Sequence, residues 1–247
     1  MKFREFIKKN LKDTDAWSEV LFFYIFSLPL AFIIHKISKN KSLPYLLTFL
    51  SFALRAYGGI LFFYQNILMG VLFNILGFII DDVDGQVSRA IFGKDPNMRG
   101  TLDFLLDFVS MVIVFVGLGS LVLLKSPDLS ILYIFYLASF IFFMALTSTK
   151  FRIYSLQKID PDKTLLSTGK IKGRLRSFIN NIQKRFQKFH LVMHPSIVDS
   201  LFILFIIFPL VNFNIWLLIT AIIFIWIDIL ITGIVPVYFL LKSDGNG

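Results

Sequence analysis

The chain has 247 residues, of which 56% are hydrophobic and 30 are Phe, and its mean hydropathy is +0.75. A soluble domain of this length cannot hide so much apolar surface in one core, so the composition selects a helical membrane protein. The absence of cysteine excludes disulfides and thiol chemistry, and a formal charge of +9 beside apolar segments points to lipid headgroups rather than nucleic acid.

The first sixteen residues carry Lys2, Arg4, Lys8, Lys9 and Lys12, and the apolar stretch behind them lacks the small-residue site of a cleaved signal. Residues 17–37 are apolar enough to span, yet they are flanked by basic residues and contain Pro29. Spanning would place the basic N-terminus outside, so this segment is expected to lie at the inner interface as an amphipathic helix. Residues 1–42 thus read as a basic juxtamembrane unit, and 43–247 as a domain of six transmembrane helices. The expected fold is an all-α integral membrane protein.

The expected spans are 43–64, 67–90, 100–124, 129–148, 196–211 and 215–241. The first would be roughly 33 Å long at the helical rise, enough to cross hydrocarbon. Polar joints such as Gln65-Asn66 and Asn212-Phe213-Asn214 separate neighbours into hairpins. Charge orients the bundle. If residue 43 starts inside, the outer connections hold one basic residue, Lys125, while the inner ones hold Lys36, Lys39, Lys41, Arg89, Lys94, Arg99 and eleven more between Lys150 and Lys188. Both termini and the basic loop 150–195 are therefore expected in the cytoplasm. Within that loop, 178–189 reads either as a helix on an anionic surface or as a solvated basic stretch.

Acidic residues are absent between Glu19 and Asp81, after which Asp81, Asp82, Asp84, Asp95, Asp103 and Asp107 follow in close succession. Asp81 and Asp84 are three apart near the inner end of the second span, and Asp103 and Asp107 four apart near that of the third. Each spacing puts two carboxylates on one helix face. The two spans form a hairpin, so the faces can meet. Four carboxylates converging near hydrocarbon repel one another and require positive charge. Mg²⁺ or Mn²⁺ is the natural supply, and two such ions about 4 Å apart would clamp a pyrophosphate. The plainer alternative pairs these carboxylates with Arg89, Lys94 and Arg99 at the membrane surface. Gly85 and Gly100 would let a bulky phosphate or base approach the helix backbone, and Arg89, one turn beyond Gly85, is placed to hold a donor phosphate.

The run Asp81-Asp82-Val83-Asp84-Gly85-Gln86-Val87-Ser88-Arg89, followed by Gly100 and Asp103-Phe104-Leu105-Leu106-Asp107, resembles the signature of the CDP-alcohol phosphotransferases. That signature is D-x-x-D-G-x-x-A-R, then G-x-x-x-D-x-x-x-D. The six-span layout, the preceding interfacial helix, and Pro44 with Thr48 at the start of the first span are similar too. Ser88 stands where the family has alanine, Tyr45 where it has asparagine, the interval from Arg89 to Asp103 is longer, and Gly100 sits one position late, with two residues before Asp103 where the signature has three.

The resemblance implies that Asp81, Asp84, Asp103 and Asp107 bind two Mg²⁺ or Mn²⁺ ions and that Asp107 is the general base. It implies that Thr48, Gly85, Ser88, Arg89 and Gly100 border the CDP group, with Asp82 dispensable. The reaction would be metal-dependent transfer of a substituted phosphate to an alcohol hydroxyl with release of CMP. The family's donors include CDP-diacylglycerol, towards which the short six-span chain leans, and small CDP-alcohols, and the resemblance implies a homodimer of phospholipid biosynthesis. By position, Lys150 and Arg152 at the inner end of the fourth span read either as contacts to a phosphate on the acceptor or as ordinary inside-positive flanking residues. Two other readings compete: an intramembrane prenyltransferase, which also ionises a pyrophosphate on Asp-rich helices, and a transporter or silent membrane protein. Arg55 and Asp228, both at mid-membrane by segment count, are expected to pair. His35, His190 and His194 lack metal-ligand spacing.

Overall fold

The computed structural model describes residues 2–11, 15–93, 97–125, 128–159, 186–192 and 194–234, with the backbone alone at 9, 97, 147–159 and 232–234. Among these residues there is no β-strand. The longer helices are α1 (Phe3–Asn10), α2 (Glu19–Ile37), α3 (Leu43–Phe63), α4 (Ile67–Phe92), α5 (Asn97–Lys125), α6 (Leu129–Ile159), α7 (Ile197–Leu210) and α8 (Ile215–Asp228, prolonged as a π-helix over Ile229–Ile234). The chain is all-helical, as its composition requires. Most of the basic loop, including the greater part of 178–189, lies outside the described residues, as do Lys94 and Asp95.

The polar joints act as expected. The Asn214 side chain accepts from the backbone N–H of Trp216 at 2.9 Å, and Asn66 accepts from Met69 at 3.4 Å, capping α8 and α4. Gly93 ends α4 in the left-handed region, at φ 77°. Ser196 and Asp199 form a capping box at the start of α7, which accounts for the carboxylate there.

By length and apolarity α2, α3, Met98–Lys125 of α5 and Leu129–Leu146 of α6 can cross a bilayer, with Ile197–Leu210 and Ile215–Ile231 as shorter apolar helices. The segment expected at the interface is therefore as able to cross as its neighbours. It meets the later half of α4: Phe23 stacks on Phe78 with centroids 5.5 Å apart, and Gln86 donates to Ser27 Oγ at 3.1 Å. In α4, residues 67–80 are uncharged, about 21 Å of helix before the first carboxylate. Large apolar side chains face outward, Leu68 on α4 at 73% exposure and Trp216 on α8 at 68%. Lipid, not water, suits such a surface.

Helices α3 and α4 run antiparallel, with Thr48 beside Asp84, Arg55 beside Gly77 and Phe62 beside Gly70. Small residues bring the backbones together. A Cβ on Gly117 of α5 would lie 1.9 Å from the Gly59 carbonyl oxygen of α3, so these helices touch backbone to backbone. On the far side of α5, Phe115 packs edge-on against Phe143 of α6 and Phe205 of α7, the latter at 4.9 Å. Much of the phenylalanine excess thus serves helix packing.

Before α2, the chain is tied to the start of α7. The backbone N–H of Asp15 donates to the His190 carbonyl at 2.8 Å, and that of Ser18 to Asp199 Oδ1 at 2.6 Å. Arg89 Nε donates to the Asn10 carbonyl at 2.8 Å, anchoring α1 at the end of α4.

Candidate active site

The last three turns of α4 carry Asp81, Asp82, Asp84, Gly85, Ser88 and Arg89, and the first turns of α5 carry Arg99, Gly100, Asp103 and Asp107. The two helices bring three of the four expected carboxylates together. Asp81, Asp103 and Asp107 each offer a carboxylate oxygen within 4.8 Å of the others. All three are half-buried. An oxygen-only donor set of this kind fits a hard divalent cation such as Mg²⁺ or Mn²⁺.

Asp84 stands apart from that trio. It is buried at 2% exposure, where its Oδ1 pairs with the guanidinium of Arg99 and its Oδ2 accepts from the Thr48 hydroxyl at 2.6 Å. The alternative in which Arg89, Lys94 and Arg99 neutralise the carboxylates is thus realised for this one member, through Arg99.

Arg55 supplies the second positive charge. Its guanidinium pairs with Asp107 and reaches Asp81 Oδ1 at 3.4 Å, while Ser51 Oγ donates to the same Asp81 oxygen at 3.3 Å. The expected pairing of Arg55 with Asp228 does not form. Asp228 Oδ1 instead lies 3.7 Å from His194 Nδ1. Matching two charges by depth ignored the direction each helix face points. Arg55 faces α4 because Gly77 leaves room for its stem: a Cβ there would sit 2.4 Å from Arg55 Cγ.

A cavity of about 150 Å³ opens beside the cluster, lined among others by Asp81, Asp84, Gly85, Arg89, Arg99 and Asp103. On the other side of Asp81 a smaller space of about 70 Å³ is bounded by Arg55, Phe78, Asp107 and Met111. Glu19 and Asp82 border both spaces. Of the residues expected around CDP, Gly85 and Arg89 line the larger cavity. Among the described residues, a Cβ on Gly100 would meet nothing within 4 Å. Ser88 and Thr48 are buried behind the cavity wall, Thr48 holding Asp84 in place. Lys150 and Arg152 fall in α6, and their side chains lie outside those described.

Sequence reasoning missed Arg55 and Glu19 as site residues. The signal available for Arg55 was its place on α3, two helical turns beyond Thr48 and on the same face. Glu19 carried no comparable signal, because it reaches the site only through the way α2 packs on α4.

The family model for CDP-alcohol phosphatidyltransferase matches residues 41–176, more than half of the chain and the whole of α3 to α6. No curated protein and no solved structure matches the chain. The matched region contains both carboxylate helices and Arg55, and so the chain belongs to the CDP-alcohol phosphatidyltransferase family, metal-dependent transferases of phospholipid biosynthesis.

Proposed function

We propose that the protein transfers the phosphatidyl group of CDP-diacylglycerol to an alcohol hydroxyl and releases CMP. The observation that carries this reading is the meeting of Asp81, Asp103 and Asp107 beside a cavity bordered by Gly85 and Arg89, at the charged end of otherwise apolar helices. A pyrophosphate needs positive charge and space there, while its lipid tails need hydrocarbon alongside.

In this reading Arg89 holds a phosphate of the CDP group, with Gly85 and Gly100 leaving room for it. Asp81, Asp103 and Asp107 would hold Mg²⁺ or Mn²⁺, which when bound offsets charge on the pyrophosphate. The acceptor hydroxyl attacks the phosphorus nearest the lipid, its proton passes to Asp107, and the bond from that phosphorus to the bridging oxygen breaks. CMP leaves with that oxygen. The smaller space beside Asp107 suits the acceptor. Lys150 and Arg152 would meet a phosphate on it.

Six spans with the site facing the cytoplasm remain the proposed topology, supported by the basic inner connections. Helix α2 is proposed to lie obliquely at the inner interface, since its contacts with α4 fall at Phe78 and Gln86, towards the charged end. The test compares donors: detergent-purified protein is incubated with Mg²⁺, an alcohol panel, and either CDP-diacylglycerol or a small CDP-alcohol. CMP release from CDP-diacylglycerol with formation of a phosphatidyl-alcohol is expected. Release from the small CDP-alcohol alone would assign the opposite donor class.

A further inference from the structure

We infer that Arg55 and Arg99 are resident cations of the carboxylate quartet, so that the site takes one divalent cation where the resemblance implies two. The inference rests on the metal-binding reading above and concerns how that site is filled.

Both oxygens of Asp84 already have donors, the Arg99 guanidinium on Oδ1 and the Thr48 hydroxyl on Oδ2. The pair borders the larger cavity but keeps little surface, with side-chain exposures of 2% for Arg99 and 3% for Asp84. A metal ion taking Asp84 as a ligand would set a divalent charge against the buried Arg99 guanidinium on the same carboxylate, which is strongly unfavourable. Arg55 also touches Asp81 and Asp107, but these two carboxylates converge with Asp103 and their side chains keep 31% and 21% exposure, open to an incoming ion.

Arg55 is held where it stands. Gly77 accommodates its stem, the Phe78 ring lies 5.8 Å from its guanidinium carbon, and its guanidinium joins Asp107 to Asp81. The geometry gives Asp81, Asp103 and Asp107 as one ion's ligands, with Asp84 as the anchor of Arg99.

Counting ions tests this without relying on turnover. The full chain in detergent is titrated with Mn²⁺, with and without CDP, and bound Mn²⁺ is counted by the loss of the free-ion electron paramagnetic resonance signal. One ion per wild-type chain is expected in both conditions, two in Arg99→Met, and one in Arg99→Lys. Two ions in wild type, or one in a folded Arg99→Met, would overturn the inference. Should Arg99→Met fail to fold, Asp84→Asn decides: one ion retained supports the inference, and none overturns it. No Mn²⁺ on wild type together with cation-independent CMP release would overturn the metal-binding reading as well, whereas two ions with cation-dependent release would overturn this inference alone.

Discussion

The Arg55 guanidinium bonds the Asp107 carboxylate, joining α3 to α5 at the point where the three half-buried aspartates meet. Arg55 is 2% exposed, so the charge is neutral only while its partners stay in place. Replacing Arg55 by Gln removes the cation and leaves Asp81 and Asp107 repelling each other. Breaking such a pair costs about 3–5 kcal/mol. Thermal unfolding in detergent should show Arg55→Gln strongly destabilised, Arg55→Gln/Asp107→Asn largely restored, and Arg55→Gln/Asp228→Asn not restored.

The glycines separate packing from substrate space. Gly77→Ala places a methyl 2.4 Å from Arg55 Cγ and should displace the guanidinium. Overpacking of this kind costs about 1–3 kcal/mol. Gly100→Ala has nothing within 4 Å to meet and should leave the melting temperature unchanged. Its expected effect is on CDP affinity, which should fall because the added methyl occupies space left for the donor. Calorimetric binding of CDP to the two variants, beside their melting curves, checks both halves.

The same pair of glycines marks what the sequence made legible. Spacings of three and four placed Asp81, Asp84, Asp103 and Asp107 on facing helix surfaces, and the structure brings three of them together. The separation of Asp84 was not readable, because it depends on where the first turn of α5 places Arg99. The starts of α4 and α8 were close to the hydropathy boundaries, since the polar caps Asn66 and Asn214 fix them locally, whereas α6 runs on to Ile159, past the expected end at 148. Arg55 was assigned to Asp228 because segment counting yields depth but not the direction of a helix face. Its true partners follow from the close approach of α3 and α4 at Gly77, a contact that hydropathy does not encode.

Topology is open to chemical labelling because the chain has no cysteine. In sealed vesicles of known orientation, a membrane-impermeant maleimide should label Tyr64→Cys from the outer side. It should reach Lys41→Cys only from the cytoplasmic side. The exposed positions of both residues make them accessible without unfolding. Labelling of Lys41→Cys from outside would reverse the orientation derived from the basic connections.

The role of Asp107 as proton acceptor has a direct consequence for the chemistry. General bases contribute roughly 10²–10⁴-fold to rate. The most direct measurement is therefore Mg²⁺-dependent CMP release from CDP-diacylglycerol and an alcohol by wild type and Asp107→Asn, with CDP binding measured on the same preparations. Release by wild type that falls by about that factor in Asp107→Asn, with CDP binding retained, is the predicted result. Equal release by the two proteins, or release by wild type that persists after the metal is chelated, would contradict a carboxylate-centred phosphatidyl transfer.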